Sequence, residues 1–115
     1  MLTTDSERSA VIYAGSNISF ICRSEHHYHN SHVRWSYEKN IDIKPVVVHD
    51  GKRLHPGYAS KLGVRYDSAS RQSMLTISNA TPSDDGVYMC FESDSATDGI
   101  DFHLHVVFGL SLIHI

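Results

Sequence analysis

The chain has 115 residues, of which 41% are hydrophobic, and a formal charge of -3 at neutral pH. This length suits one compact domain with a single core. Ten basic residues against 13 acidic ones give no cationic surplus of the kind that nucleic-acid binding requires, which argues against a nucleic-acid partner. No apolar run reaches the roughly 20 residues needed to span a bilayer, so membrane attachment is expected only through segments outside these 115 residues.

Apolar and polar residues alternate with period 2 along most of the chain, which predicts an all-β fold. The segment NISFIC (residues 17–22) places Ile18, Phe20 and Cys22 on one face, and VRWSY (33–37) does the same with Val33, Trp35 and Tyr37. Each segment is therefore predicted to be a strand with one buried face.

Further strands follow in the second half of the chain. The run KPVVVH (44–49) ends at Asp50-Gly51, a hairpin-turn signal at which another strand pair is expected. A second hairpin is predicted from GVRYD (63–67) and SMLTIS (73–78), with Leu75 and Ile77 inward. The segments GVYMCFE (86–92) and IDFHLHV (100–106) complete seven to nine short strands, which is typical of a two-sheet sandwich.

Three features resemble the signature of the immunoglobulin superfamily: Cys22, Trp35 thirteen positions later, and DDGVYMC at residues 84–90. The resemblance covers residues 8–107. The long interval between the cysteines, with room for extra strands at residues 44–56, is similar to the variable-type (V-set) form. The resemblance implies an immunoglobulin-like sandwich with V-type Greek-key topology over residues 1–107, followed by an apolar tail at residues 108–115.

The resemblance also implies roles for the signature residues. Cys22 and Cys90 are expected to form one inter-sheet disulfide, with Trp35 packed against it. Tyr88 is expected to form the tyrosine corner, in which its hydroxyl bonds back to the backbone. Arg65 is expected to pair with Asp84 across the lower end of the sandwich.

The last strand has two possible registers. Either it spans residues 100–107, or residues 91–107 form a long loop and FGLSLIHI (108–115) is a final strand like that of antigen receptors. Strict alternation in IDFHLHV favours the first register. The tail at residues 108–115 would then extend the last strand, begin an anchor, or be foreign to the native protein.

The same alternation predicts a surface for partner binding. Because Tyr88 and Cys90 point inward, their neighbours Met89 and Phe91 must point outward. The sheet they lie on is the one that the family forms from strands G, F, C and C′, which here correspond to IDFHLHV, GVYMCFE, VRWSY and KPVVVH. A surface that mixes Met, aromatic, Arg and polar side chains has the composition of a protein interface. The resemblance implies a protein partner here, which includes a second copy of this chain. The predicted face contains Arg34, Ser36, Met89, Phe91, His103 and His105.

A second hypothesis places recognition at the loop tips, with a glycan, pathogen surface or antigen as ligand. The segment EHHYHNSH (25–32) lies between strands B and C, and FESDSATDG (91–99) corresponds to the third variable loop. The candidate loop-tip residues are His26, His27, Tyr28, His29, His32, Glu92, Asp94 and Asp98.

Metal binding and catalysis have weaker support. Histidine pairs at 27/29 and 103/105 could chelate a metal, but their spacing matches no closed structural site, so no metal or cofactor is predicted. No nucleophile elbow, phosphate loop or HExxH motif occurs, and a non-enzymatic function is predicted.

Sequons at Asn17 and Asn79 and the even number of cysteines predict an extracellular or cell-surface location.

Overall fold

The computed structural model describes residues 2–25, 33–92 and 95–109. These residues form nine strands and two short 3-10 turns, at Pro56–Tyr58 and Pro82–Asp84. The strands are β1 (Leu2–Thr3), β2 (Ser9–Tyr13), β3 (Ile18–Ser24), β4 (Val33–Glu38), β5 (Val46–His49), β6 (Leu62–Asp67), β7 (Gln72–Ile77), β8 (Gly86–Glu92) and β9 (Ser95–Val107).

The strands pair into two sheets that face each other. One sheet has the order β1-β3-β7-β6, and the other has the order β2-β9-β8-β4-β5. Strand β2 pairs with β9 in parallel, whereas the other strand pairs are antiparallel. The first strand of the domain is thus divided between the sheets, with β1 on one and β2 on the other. This arrangement confirms the predicted all-β sandwich of two sheets.

The inward side of each strand follows the predicted alternation. Leu75, Ile77 and Phe102 have no exposed surface, and Phe20 is 1% exposed. Cys22 and Cys90 form the predicted disulfide between β3 and β8. Trp35 lies directly opposite Cys90 in the β4–β8 ladder and is fully buried in the same core.

The tyrosine corner is also confirmed, since the Tyr88 hydroxyl donates to the Asp84 carbonyl oxygen at 2.8 Å. A second phenol lies beside it: the Tyr37 hydroxyl donates to the Asp85 carbonyl oxygen. Burial, and then the nearby Asp84 carboxylate, raise the pKa of Tyr37 to about 12, so that this donor keeps its proton at physiological pH. The two phenols fix the segment that leads into β8.

The predicted Arg65–Asp84 pair is wrong. Asp84 instead pairs with Lys61, whose Nζ lies 3.1 Å from Asp84 Oδ2 and also donates to the Asn79 carbonyl oxygen at 2.8 Å. Leu62 and Val64 contribute to the core, so the alternate residue Arg65 points to the opposite side of β6, away from Asp84.

Two further predictions concern strand extent. β9 ends at Val107, which confirms the register in which residues 100–107 form the last strand. The strand pair expected around Asp50-Gly51 is much shorter than predicted. The Asp50 N–H donates to the Arg53 carbonyl oxygen, and the return segment contributes only one bridge, between His49 and Leu54.

Candidate functional site

The outer face of the five-stranded sheet carries the side chains predicted for partner binding. Strands β9, β8, β4 and β5 correspond to G, F, C and C′ of the predicted sheet. Within it, Arg34 lies opposite Phe91, and Ser36 lies opposite Met89. We call this surface the recognition face and define it by Arg34, Ser36, Val47, Met89, Phe91, His103 and His105.

Met89 and Phe91 lie on the side of β8 opposite to the buried Tyr88 and Cys90, as predicted, and both are half-buried. Met89 leans towards β9, where Gly99 leaves space for it. A Cβ atom on Gly99 would come within 2.7 Å of Met89 Sδ. The thioether therefore packs over the backbone of β9, and its cross-strand neighbours on this face are Ser36 of β4 and Asp101 of β9.

Ser36 is less accessible than its predicted role requires. It lies between Met89 on one side and Val47 on the other, and it is only 5% exposed. Val47 was not among the residues predicted from the sequence, but it is 42% exposed and is the accessible neighbour of Ser36 on this surface. The alternation in VVVH could have indicated Val47, because the buried Val48 follows it.

Arg34 contributes the cationic group of the recognition face. Its Nε is buried and has no hydrogen-bond partner in the described ranges. Asp50 lies close enough for Arg34 to help lower the pKa of that carboxyl, after the larger effect of hydrogen bonds from the backbone N–H groups of Arg53 and Lys52. The recognition face thus combines apolar side chains with a guanidinium.

The two strand histidines lie at the β9 side of this face, and both are exposed. His103 lies opposite Val87 of β8. His105 Nδ1 lies 2.6 Å from Asp85 Oδ2, and the other oxygen of the same carboxylate accepts from the Val106 N–H. His105 is therefore held at the lower edge of the face, whereas His103 projects from its middle.

Most of the residues predicted for loop-tip binding lie outside the described residues. His26, His27, Tyr28, His29, His32 and Asp94 lie outside the described residues, and of Asp98 only the backbone is described. The prediction that Glu92 lies at a loop tip is wrong. It is the last residue of β8 and only 5% exposed, because alternation places it on the inward side with Cys90. Strand pairing continues as far as Glu92 and Ser95, so the loop predicted over residues 91–99 is largely strand.

The two sequons come together at one end of the sandwich. Asn17 Oδ1 accepts a hydrogen bond from the Asn79 N–H at 2.8 Å, and both residues are exposed. This end holds the start of β3 and the end of β7, opposite to the end at which β3 stops at Ser24.

Within residues 2–25, 33–92 and 95–109, no three His, Cys, Asp or Glu side chains form a group that could hold a metal ion. No helix in those ranges is long and apolar enough to cross a membrane. The histidine pair at 27/29 lies outside the described residues.

Comparison with known families agrees with this architecture. The sequence model described as "Immunoglobulin domain" matches residues 2–93, which is most of the chain. The protein therefore belongs to the immunoglobulin domain family.

Among solved structures, the chain is similar to the first immunoglobulin domain of the mouse polymeric immunoglobulin receptor. The TM-score is 0.73 at 14% sequence identity, and the match covers 94% of this chain and 95% of the receptor domain. At this identity the likeness extends to the fold alone. No curated protein matches the sequence.

Proposed function

We propose that this immunoglobulin domain is a non-enzymatic extracellular recognition module that binds a protein partner through the recognition face. The observation that carries the proposal is the presence of Met89 and Phe91 on the outward side of β8, next to the exposed Val47 and the guanidinium of Arg34. Interface centres are enriched in Met, aromatic residues and Arg. The partner is another cell-surface or secreted protein, or a second copy of this domain.

The location rests on separate features. A disulfide persists in oxidising compartments, and Asn17 and Asn79 of the two sequons are both exposed. We expect N-linked glycans at Asn17 or Asn79 in the secreted protein. Deglycosylation followed by mass spectrometry of N17Q and N79Q would measure their occupancy.

The recognition face is tested by placing a charge at its centre. In M89D or F91D, a carboxylate would have to be desolvated in the interface, so we expect partner binding to weaken at least about tenfold. The domain is displayed in many copies on beads. Aggregation of these beads reports binding between copies, and capture of cells that display a library of ectodomains reports binding to other proteins.

The matched control is M74D. Met74 is also half-buried and lies on the outer face of the four-stranded sheet, opposite Ile21 and Arg65. This change should leave bead or cell binding intact, with circular dichroism of all three variants unchanged. If M89D and F91D bound like the wild type while M74D lost binding, the site would lie on the other sheet.

A further inference from the structure

The two sheets expose four edge strands, and proteins normally protect such edges by shortness, charge or a covering segment. In the described residues three of the four are protected. β1 has only two residues, and β6 carries Arg65 and Asp67 on its exposed side. β5 is covered by the segment after it, where the His55 N–H donates to the Val48 carbonyl oxygen at 2.7 Å.

The fourth edge, β2, has none of these protections. Its sequence SAVIY contains no charged residue and no proline, and it is rich in residues that favour strands. Val11 is 70% exposed and Tyr13 is 50% exposed, both on the side away from the core. An uncharged edge with exposed apolar side chains is a template for pairing with another strand.

The hydrogen bonds of β2 show which backbone groups remain available. The Arg8 carbonyl oxygen accepts from the His103 N–H, and the Ala14 N–H donates to the Val107 carbonyl oxygen. By alternation, Ala10 and Ile12 also direct their backbone groups towards β9, so Ser9, Val11 and Tyr13 direct theirs outward. Of these, the Tyr13 carbonyl oxygen accepts from the Ser16 N–H, whereas Ser9 and Val11 have no backbone partner in the described ranges.

We propose that β2 pairs antiparallel with β2 of a second copy of this chain, about a two-fold axis at Val11. In this register the two Val11 residues exchange both backbone hydrogen bonds, and the Tyr13 N–H donates to the carbonyl oxygen of the partner's Ser9. About four hydrogen bonds then form from groups that lack a partner in one copy.

The side chains of β2 fit the same pairing. Val11 lies beside the partner's Val11, and Tyr13 lies beside the partner's Ser9, which joins the exposed apolar groups into one strip. Because Ser9–Tyr13 carries no charge, two identical strands meet without like-charge repulsion. The other three edges are protected, so the contact closes as a dimer and does not propagate into a fibre.

This contact is small, and it does not include Met89 or Phe91, which lie on β8, two strands away from β2. Two five-residue strands bury less than the roughly 1,200 Å² of a stable interface, so we expect weak, concentration-dependent dimers. Its hydrogen bonds use the edge of β2, and Val11 lies on the outer face beside His105, whereas Met89 and Phe91 lie further from this edge, on β8. M89D and F91D should therefore leave it intact, and its failure would not affect the proposed function.

The first test is sedimentation equilibrium of the whole chain over a concentration series. The wild type should dimerise reversibly, and V11K and V11E should each weaken association at least about tenfold, because like charges then meet at the axis. An equimolar mixture of V11K and V11E should recover the dimer. I41K is the matched control, since Ile41 is 91% exposed and distant from β2 in the chain, and it should associate like the wild type.

The second test is hydrogen exchange at the Val11 amide, read out by NMR at low and high protein concentration. This N–H has no partner in a single copy, so it should exchange fast when dilute and become protected when concentrated. A monomeric wild type, a V11K variant that dimerises normally, or a mixture without recovery would each overturn the proposal. So would association lost in M89D but kept in V11K, which would place the dimer on the recognition face.

Discussion

His49 supports the turn after β5 through a nitrogen that must be unprotonated. Its Nδ1 accepts a hydrogen bond from the Gly51 N–H at 3.1 Å, which requires the tautomer with the proton on Nε2. Burial lowers the pKa of His49, and the neighbouring Asp50 carboxylate opposes this effect only in part. The folded protein therefore favours the neutral imidazole.

This coupling predicts a pH dependence of stability. Unfolded His49 titrates near the ordinary value of about 6.5, and folded His49 titrates lower, so its contribution to stability is complete above about pH 6.5 and declines as the pH falls. In H49N the shorter side chain still offers an acceptor to the Gly51 N–H but does not titrate. Between about pH 7.5 and about pH 5 the wild type should lose unfolding free energy relative to H49N. We expect this loss to reach at most about 1 kcal/mol, because the side chain is only partly buried.

Urea denaturation of both proteins at fixed ionic strength measures that difference. Subtracting the unfolding free energy of H49N from that of the wild type at each pH removes the contribution of the other eight histidines, which both proteins contain. A difference that stays constant across this pH range would show that His49 protonation is not linked to folding.

At the scale of strands, alternation alone predicted most of the sandwich, because each strand has one buried face. Three predictions were wrong where a feature other than alternation was used to assign the residues. The assignment of Arg65 followed the family pattern, although Val64 on β6 already required Arg65 to point away from the core. Glu92 was assigned to a loop because FESDSATDG corresponds to the third variable loop of the family, but the ladder between β8 and β9 includes Glu92.

The third correction, the short pairing after β5, could not have been predicted from sequence. A turn signal at Asp50-Gly51 fixes the direction of the chain, whereas the number of paired residues beyond it depends on what covers the edge of β5. The exposed edge of β2 is different. The same alternation applied to SAVIY would have revealed Val11 and Tyr13 as outward residues.

The contact between Lys61, the residue before β6, and the 3-10 turn Pro82–Asp84 gives a prediction at this scale. Lys61 Nζ joins the Asp84 carboxylate, which also accepts from the Thr81 N–H at 2.8 Å and caps the turn. The Asp84 side chain is 12% exposed. K61M keeps the aliphatic stem but leaves that carboxylate without its cation, and we expect a loss of roughly 1–2 kcal/mol in unfolding free energy.

R65M is the matched comparison, because it removes a nearby cation from the exposed outer side of β6. Its unfolding free energy should stay within about 0.5 kcal/mol of the wild type in the same urea titration. Equal losses in K61M and R65M would indicate that general charge balance, and not the Lys61–Asp84 pair, stabilises this end of the sandwich.

At the scale of the whole molecule, two links cross between the sheets through the apolar core. The disulfide joins β3 to β8, and the buried Trp35 Nε1 donates to Ser73 Oγ at 2.9 Å, joining β4 to β7. Both links lie behind the recognition face. The packing that fixes Cys90 inward therefore fixes Met89 and Phe91 outward.

Removing the disulfide tests how far the fold depends on this link. Cys22 and Cys90 are 68 residues apart, so the loop-closure estimate for a C22A/C90A variant is a loss of about 4 kcal/mol, out of the roughly 5–15 kcal/mol typical of a domain. Guanidinium denaturation of the variant should show a lower midpoint, and a reducing agent should lower the wild-type midpoint to a similar value. The same agent should leave the variant unchanged, since it has no other cysteines.

Because the core still places Phe102 and Trp35 between the sheets, the variant should keep its β-sheet circular dichroism. A loss below about 1 kcal/mol would mean that the apolar core alone sets the spacing of the sheets, and with it the position of the recognition face.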